Sequence, residues 1–308
     1  MLDQVERAIV GKRAALELVL AAVLAGGHVL LQDSPGLGKT LAARTLAQTL
    51  GLPFRRVQFT PDLLPADVTG SFVGDQRVGE FQFRRGPLFA GLVLADEINR
   101  TPPKTQSALL EAMQERQVTV EGTTFGLEHP FHVIATANPI EYEGTYPLPE
   151  AQLDRFLLRV SFDYPGLTDE VTVLANRLDR AREEVEVDQV TDHAGLLAAQ
   201  HAVETVAVDP DIQQYCVALT RATRESSQVL LGASPRGSLA LVLTARARAV
   251  IAGRDYVVPE DVKAVAIAAL AHRITLRPEV WMRDVSGVDL VRTVLAQVPT
   301  PRAAGVPS

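Results

Sequence analysis

The segment Asp33-Ser34-Pro35-Gly36-Leu37-Gly38-Lys39-Thr40 restricts the fold more than any other part of the chain. It follows an apolar run, residues 28–31, and opens into residues 41–47, which read as a helix. Strand, glycine loop, Lys-Thr and helix in that order are the context of a phosphate-binding loop in an α/β layout. Gly36 and Gly38 allow the backbone to curl so that successive N–H groups point inward at phosphate oxygens. The helix N-terminus behind them adds the positive end of its dipole. Lys39 is placed to reach the β- and γ-phosphates and the Thr40 hydroxyl to ligand Mg²⁺.

Asp33 stands where such loops usually carry a glycine. Aspartate tolerates left-handed or tight-turn geometry through local hydrogen bonds, so the loop is expected to form through that route.

A second constraint lies at residues 91–97, an apolar strand ending in Asp96-Glu97. Both carboxylates then fall at the carboxyl edge of the sheet, where α/β proteins bind ligands. Asp96 is expected to hold the metal shell and Glu97 to orient the attacking water, since phosphoryl transfer needs positioning and charge more than covalent chemistry. Between the two motifs, residues 55–59 read as a strand and residues 60–86 as a long excursion with strands at 72–73 and 78–83. Residues 104–115 read as a helix with one apolar face. Residues 117–125 alternate around Glu121-Gly122 as a hairpin does. Residues 131–136 form another apolar strand and end at Asn138, a polar amide in line with Asp96. Arg155 and Arg159 are expected at the end of a short helix.

The pattern changes at residues 164–166, and the domain boundary is placed there: an α/β domain over 1–163, a smaller helical domain over 164–298 and a disordered tail over 299–308. Helices are expected at 169–184, 190–206, 212–225, 238–252 and 259–273. Ser234-Pro235 reads as a helix cap, which sets Arg236 in the first turn. A cation is unfavourable there, which raises a functional role for Arg236 against the default of a solvated surface arginine.

Composition removes other classes. With 47% hydrophobic residues the 308-residue chain has material for a core. The apolar stretch 18–25 is far shorter than the ~20 residues a membrane span requires, and reads as a buried helix. The single cysteine, Cys216, excludes a disulfide framework or a cysteine metal site. His129 and His132 have no carboxylate company for a metal. No secretory signal pattern opens the chain, so a cytoplasmic location is expected. A net charge of −7 argues against a general nucleic-acid binder.

Taken in order, residues 33–40, Asp96-Glu97 with Ile98-Asn99-Arg100, Asn138, Arg155 and Ser234-Pro235-Arg236 resemble the MoxR family of AAA+ ATPases. Residues 58–65, 83–89 and 146–156 are similar to that family's signatures, and the resemblance extends from Val5 to about Val298. It implies a P-loop NTPase core with a parallel sheet, a helix-2 insert over residues 60–86, a pre-sensor hairpin over 118–125 and an all-α lid. It also implies ATP and Mg²⁺ as cofactors, with the nucleotide held by residues 33–40 and Leu41 and by Val10 and Gly11. Asn138 becomes sensor 1, Arg236 sensor 2, and Arg155 the arginine finger acting on a neighbour's ATP, with Arg159 in reserve. A finger acting in trans implies a homo-oligomeric ring, commonly a hexamer. Proteins of this family are thought to mature or activate protein clients, often through a partner with a von Willebrand factor A domain. The chain carries no Asp-x-Ser-x-Ser motif, so such a partner must come in trans. A nucleic-acid motor of the helicase type is the alternative reading, disfavoured by the acidic balance.

Overall fold

The computed structural model describes residues 1–75, 80–138, 144–182, 184–281 and 285–301. Two helices, α1 (Leu2–Glu6) and α2 (Arg13–Leu24), precede β1 (Val29–Gln32), whose carboxyl end releases the glycine loop into α3 (Lys39–Thr49). Strand β2 (Phe54–Gln58), the short α4 (Pro65–Thr69) and a hairpin of β3 (Gly70–Asp75) and β4 (Glu80–Arg85) follow. Next come β5 (Leu92–Asp96), a 3-10 turn at Ile98–Arg100 and α5 (Pro103–Glu115). A second hairpin, β6 (Gln117–Val120) and β7 (Thr123–Gly126), leads to β8 (His132–Ala137).

The sheet order is β2-β5-β8-β1, with β9 (Leu158–Val160) outside β1, and β2, β5, β8 and β1 run parallel. Strands β5 and β8 are buried at every residue, which is why they read as continuous apolar runs instead of alternating. Register places Gln58 beside Asp96 and Gln32 beside Ala137, so β2, β5, β8 and β1 all deliver their last residues to one edge. The hairpin β6–β7 turns at Glu121 and Gly122, both with positive φ (49° and 80°), the geometry of a tight two-residue turn. Its Phe125 stacks on Phe83 of the other hairpin at 3.8 Å between ring centroids, with Phe72 and Phe89 packed around the pair.

After β8 come α6 (Glu150–Leu153), β9, α7 (Leu167–Arg180), α8 (His193–Thr205), α9 (Pro210–Glu225) and β10 (Val229–Leu231). The chain continues through α10 (Pro235–Ile251), α11 (Pro259–Leu270), β11 (Thr275–Leu276), α12 (Pro278–Trp281) and α13 (Gly287–Gln297). Compact packing divides the chain into two units. The first holds residues 1–19, 26–148 and 160–197, and the second holds 20–25, 149–159 and the chain from 198 onward. Within the second unit α9, α10, α11 and α13 pack together. Asp261 caps the start of α11 through the Val258 N–H (3.0 Å) and takes both Arg254 nitrogens, at 2.7 and 2.9 Å.

An α/β core carrying two hairpin insertions, with a mostly helical second unit, agrees with the expected fold. Several particulars differ. The packing division falls elsewhere than residue 164, because α7 belongs to the first unit and residues 149–159 to the second. The helical unit is not wholly α: β10 and β11 form a short antiparallel ladder, buried where Val229 and Leu276 pack on Leu290. Helix α13 also goes beyond the periodic reading and starts at a Ser286–Asp289 capping box. Arg159 is not at a helix end but in β9, between buried Leu158 and Val160. Of the expected strand 78–83, residues 78 and 79 lie outside the described residues, as do residues 302–308 of the expected tail.

Candidate functional site

The edge where β1, β5 and β8 end gathers the first group of expected site residues. In the loop, Gly36 and Gly38 have φ of 83° and 80°, the left-handed conformation that glycine adopts without penalty. A side chain at Gly38 would also meet Ile9 Cδ1 at 3.3 Å, so residue 9, next to Val10 and Gly11, lies against the loop. Gly11 itself has φ of 73°, and a Cβ there would come within 2.3 Å of Asp169 Oδ2. Ser34, Pro35, Leu37 and Leu41 complete the loop and its exit into α3.

Asp33 does not act through local turn geometry. It is buried, and its φ is not among the positive ones. Its carboxylate instead reaches across to the segment leaving β9. Oδ2 accepts from the Phe162 N–H at 2.6 Å, and Oδ1 accepts from the Ser161 hydroxyl and from the Asp163 N–H at 3.4 Å. Lys12 Nζ donates to the Asp163 carbonyl at 3.0 Å and fixes the same segment from the other side. The expectation of a self-contained loop is therefore corrected: the aspartate is required by partners about 130 residues away, because an unbonded buried N–H is costly.

Lys39 Nζ donates to the carbonyls of Asp33 (2.8 Å) and Ser34 (3.3 Å). Partial burial draws its ammonium below the usual lysine range, against the opposing pull of Asp33, Asp96 and Glu97. Thr40 Oγ1 donates to Asp96 Oδ2 at 3.3 Å. The other oxygen of Asp96 accepts from the buried Thr136 Oγ1 at 2.6 Å, and Thr136 Oγ1 also accepts from the Glu97 N–H at 2.8 Å. One hydroxyl on β8 thus orients both acidic residues.

Glu97 sits in the left-handed region (φ 57°, ψ 48°), unusual for a residue with a side chain, where the chain turns out of β5. Its Oε2 accepts from Gln58 Nε2 at 2.7 Å and from Arg100 Nη1 at 3.2 Å. Asn138 is buried one residue beyond β8, and its carbonyl accepts from Asn99 Nδ2 at 3.2 Å.

The remaining candidates belong to the second unit. Arg155 follows α6, is half-buried, and has no ion pair or side-chain hydrogen bond among the described residues. Arg236 lies in the first turn of α10, where Ser234 Oγ accepts from its N–H at 3.1 Å and Asp154 Oδ2 is 3.9 Å from its guanidinium. Asp154 also accepts from Ser234 Oγ (3.1 Å) and from Arg273 Nε (2.8 Å). Arg273 is buried and donates further to the Phe156 and Leu157 carbonyls, so it holds the backbone on the far side of Arg155. Burial lowers the Arg159 guanidinium from its ordinary range.

Motif reading missed Arg56, Gln58, Thr136, Asp154 and Arg273. The first three sit on strands flanking β5, and strand order, which periodicity does not carry, is what brings them to the acidic pair.

The chain is also similar to known proteins. Residues 28–158 match the family described as ATPase family associated with various cellular activities (AAA), and residues 221–294 match the AAA lid domain. The uncharacterized protein YeaC of Bacillus subtilis is 48% identical, with 97% of this chain and 93% of that protein covered. Chaperone MoxR1 of Mycobacterium tuberculosis is 41% identical over 99% of this chain and 82% of its own length. A crystal structure from Cytophaga hutchinsonii superposes with a TM-score of 0.90 at 40% identity, covering 97% of this chain and 93% of that one.

Proposed function

The chain belongs to the MoxR family of AAA+ ATPases, and from that premise we propose that it is an ATP-hydrolysing, ring-forming chaperone that remodels or activates partner proteins. The observation that carries the reading is the approach of Asp96 to Thr40 at the mouth of the glycine loop, with Glu97 fixed beside it through Thr136. A threonine hydroxyl and a carboxylate are hard oxygen donors of the kind that suits Mg²⁺. When bound, Mg·ATP supplies the phosphoanhydride and the charge neutralisation.

The protein's own groups then divide the work. Backbone N–H groups of residues 36–39 would cradle phosphate, and Lys39 would exchange two carbonyl partners for anionic ones, a stronger class of hydrogen bond. Thr40 and Asp96 hold the cation. Glu97 orients water, and Asn138 reads the γ-phosphate from the end of β8. Arg236 serves as sensor 2. Arg155 is the finger supplied to a neighbouring subunit, a role suited to its lack of an ion pair among the described residues, whereas Arg159 is enclosed in β9. A finger of this kind contributes roughly 10³–10⁵ in rate, so an isolated subunit is nearly inactive. The name of the M. tuberculosis relative supports the chaperone reading.

Glu97→Gln tests the reading: the variant should retain ATP, accumulate as a stable ring and lose turnover. Hydrolysis by this variant at the wild-type rate would remove Glu97 from its role. The same trapped ring, used as bait with ATP, identifies the client.

A further inference from the structure

Asp96 has more donors than a single carboxylate oxygen accommodates. Its Oδ2 accepts from Arg56 Nε at 3.0 Å, from Arg56 Nη2 at 2.8 Å and from Thr40 Oγ1 at 3.3 Å, while Oδ1 is taken by Thr136. A carboxylate oxygen offers about two lone-pair directions, so Oδ2 is already over-subscribed. The Arg56 guanidinium is also held in place, because Nη2 donates to Gln58 Oε1 at 2.8 Å on the same strand. Arg56 is half exposed at 49% and has open solvent to withdraw into, whereas Asp96 is almost enclosed, at 11%.

We propose that Arg56 is a built-in competitor for the divalent cation at Asp96 and thereby sets the Mg²⁺ concentration at which the site loads nucleotide. The inference rests on the assignment of Asp96 and Thr40 as the cation's ligands. A guanidinium and a divalent cation cannot share Oδ2 without bringing like charges within a few ångströms. Loading the cation therefore requires Arg56 to withdraw, and the lost ion pair is subtracted from the affinity for the cation. Arg56 lies on β2, outside both nucleotide motifs, and its partner is reached only because β2 and β5 are neighbours in the sheet.

The test is a Mg²⁺ titration of a fluorescent ATP analogue on the full chain, read as binding. Arg56→Ala and Arg56→Gln should reach half-maximal binding at a Mg²⁺ concentration about three- to fivefold lower than wild type, the size expected for a partly solvated ion pair. Arg56→Lys retains the charge and should stay nearer to wild type. With chelator present, wild type and Arg56→Ala should bind the analogue equally. An unchanged Mg²⁺ requirement in Arg56→Ala and Arg56→Gln overturns the inference, as does an affinity gain of the same size in chelator. If the wild type binds no analogue at saturating Mg²⁺, the functional reading fails and takes this inference with it.

Discussion

Acidification should unfold the nucleotide core through two histidines that take no part in its chemistry. His28 precedes β1 and His132 opens β8, and both are buried. His28 Nε2 donates to the Met113 carbonyl at 3.0 Å, and its Nδ1 accepts from the Val133 N–H at 3.0 Å, so the ring is a neutral tautomer with both nitrogens in use. His132 Nδ1 donates to the Gly27 carbonyl at 3.0 Å. Burial, reinforced at His28 by the charges of His132 and Arg116 and at His132 by those of Arg116 and His129, lowers His28 to about 3 and His132 to about 4. An unfolded histidine titrates near 6.5, so the stabilisation is complete above that value and is lost as the pH falls from 6.5 toward 3–4. At about pH 5 the unfolded rings are almost fully protonated and the folded ones are not, which removes about 2 kcal/mol per ring, or about 4 kcal/mol for the pair. Urea unfolding followed by far-UV circular dichroism at about pH 7.5 and about pH 5 reads the difference. His132→Asn keeps a donor for Gly27 and removes one titration, so its loss between the two conditions should be smaller by about 2 kcal/mol. If the variant shows the same loss as wild type, His132 is not held neutral and the burial argument is wrong.

Other expectations concern the site directly. Arg155→Ala and Lys39→Ala subunits, each inactive alone, should recover partial ATPase activity when mixed; no recovery at any ratio would exclude a finger acting in trans. Thr136→Val should lower kcat by about tenfold or more with little change in KM for ATP, because it releases the Asp96 carboxylate and the Glu97 backbone together, and Thr136→Ser should restore activity. Asp33→Ala should destabilise the protein by about 2–3 kcal/mol in urea unfolding, since it leaves the Phe162 N–H buried without an acceptor; Asp33→Asn should cost roughly half as much.

The elements that motif and periodicity reveal are those whose cause is local. Gly36 and Gly38 are glycines because the loop needs positive φ, and Glu121-Gly122 marks a two-residue turn for the same reason. The strands at β5 and β8 declare themselves as unbroken apolar runs because both faces are covered. What stays hidden depends on neighbours distant in sequence. Asp33 resembles an exception to a glycine pattern until Phe162 is placed beside it, and Arg56 resembles a surface arginine until β2 is set against β5. The ladder of β10 and β11 is too short, at three and two residues, to show a period. The capping box at Ser286 and Asp289 and the apolar spacing of Leu290, Val291 and Val294 are local signals of α13 that the periodic reading did not take up.

The bond from Asp33 to Phe162 joins the start of the glycine loop to the segment that leads into α7. Residues 161–163 are the lead into α7, and Asp163, at φ 50°, is the joint where that lead bends. Because one carboxylate grips three successive residues of the lead and Lys12 steadies it from behind, a shift of the loop cannot be absorbed locally. It becomes a pull on the joint. A glycine at position 33 would curl as readily and would leave the phosphate loop mechanically silent.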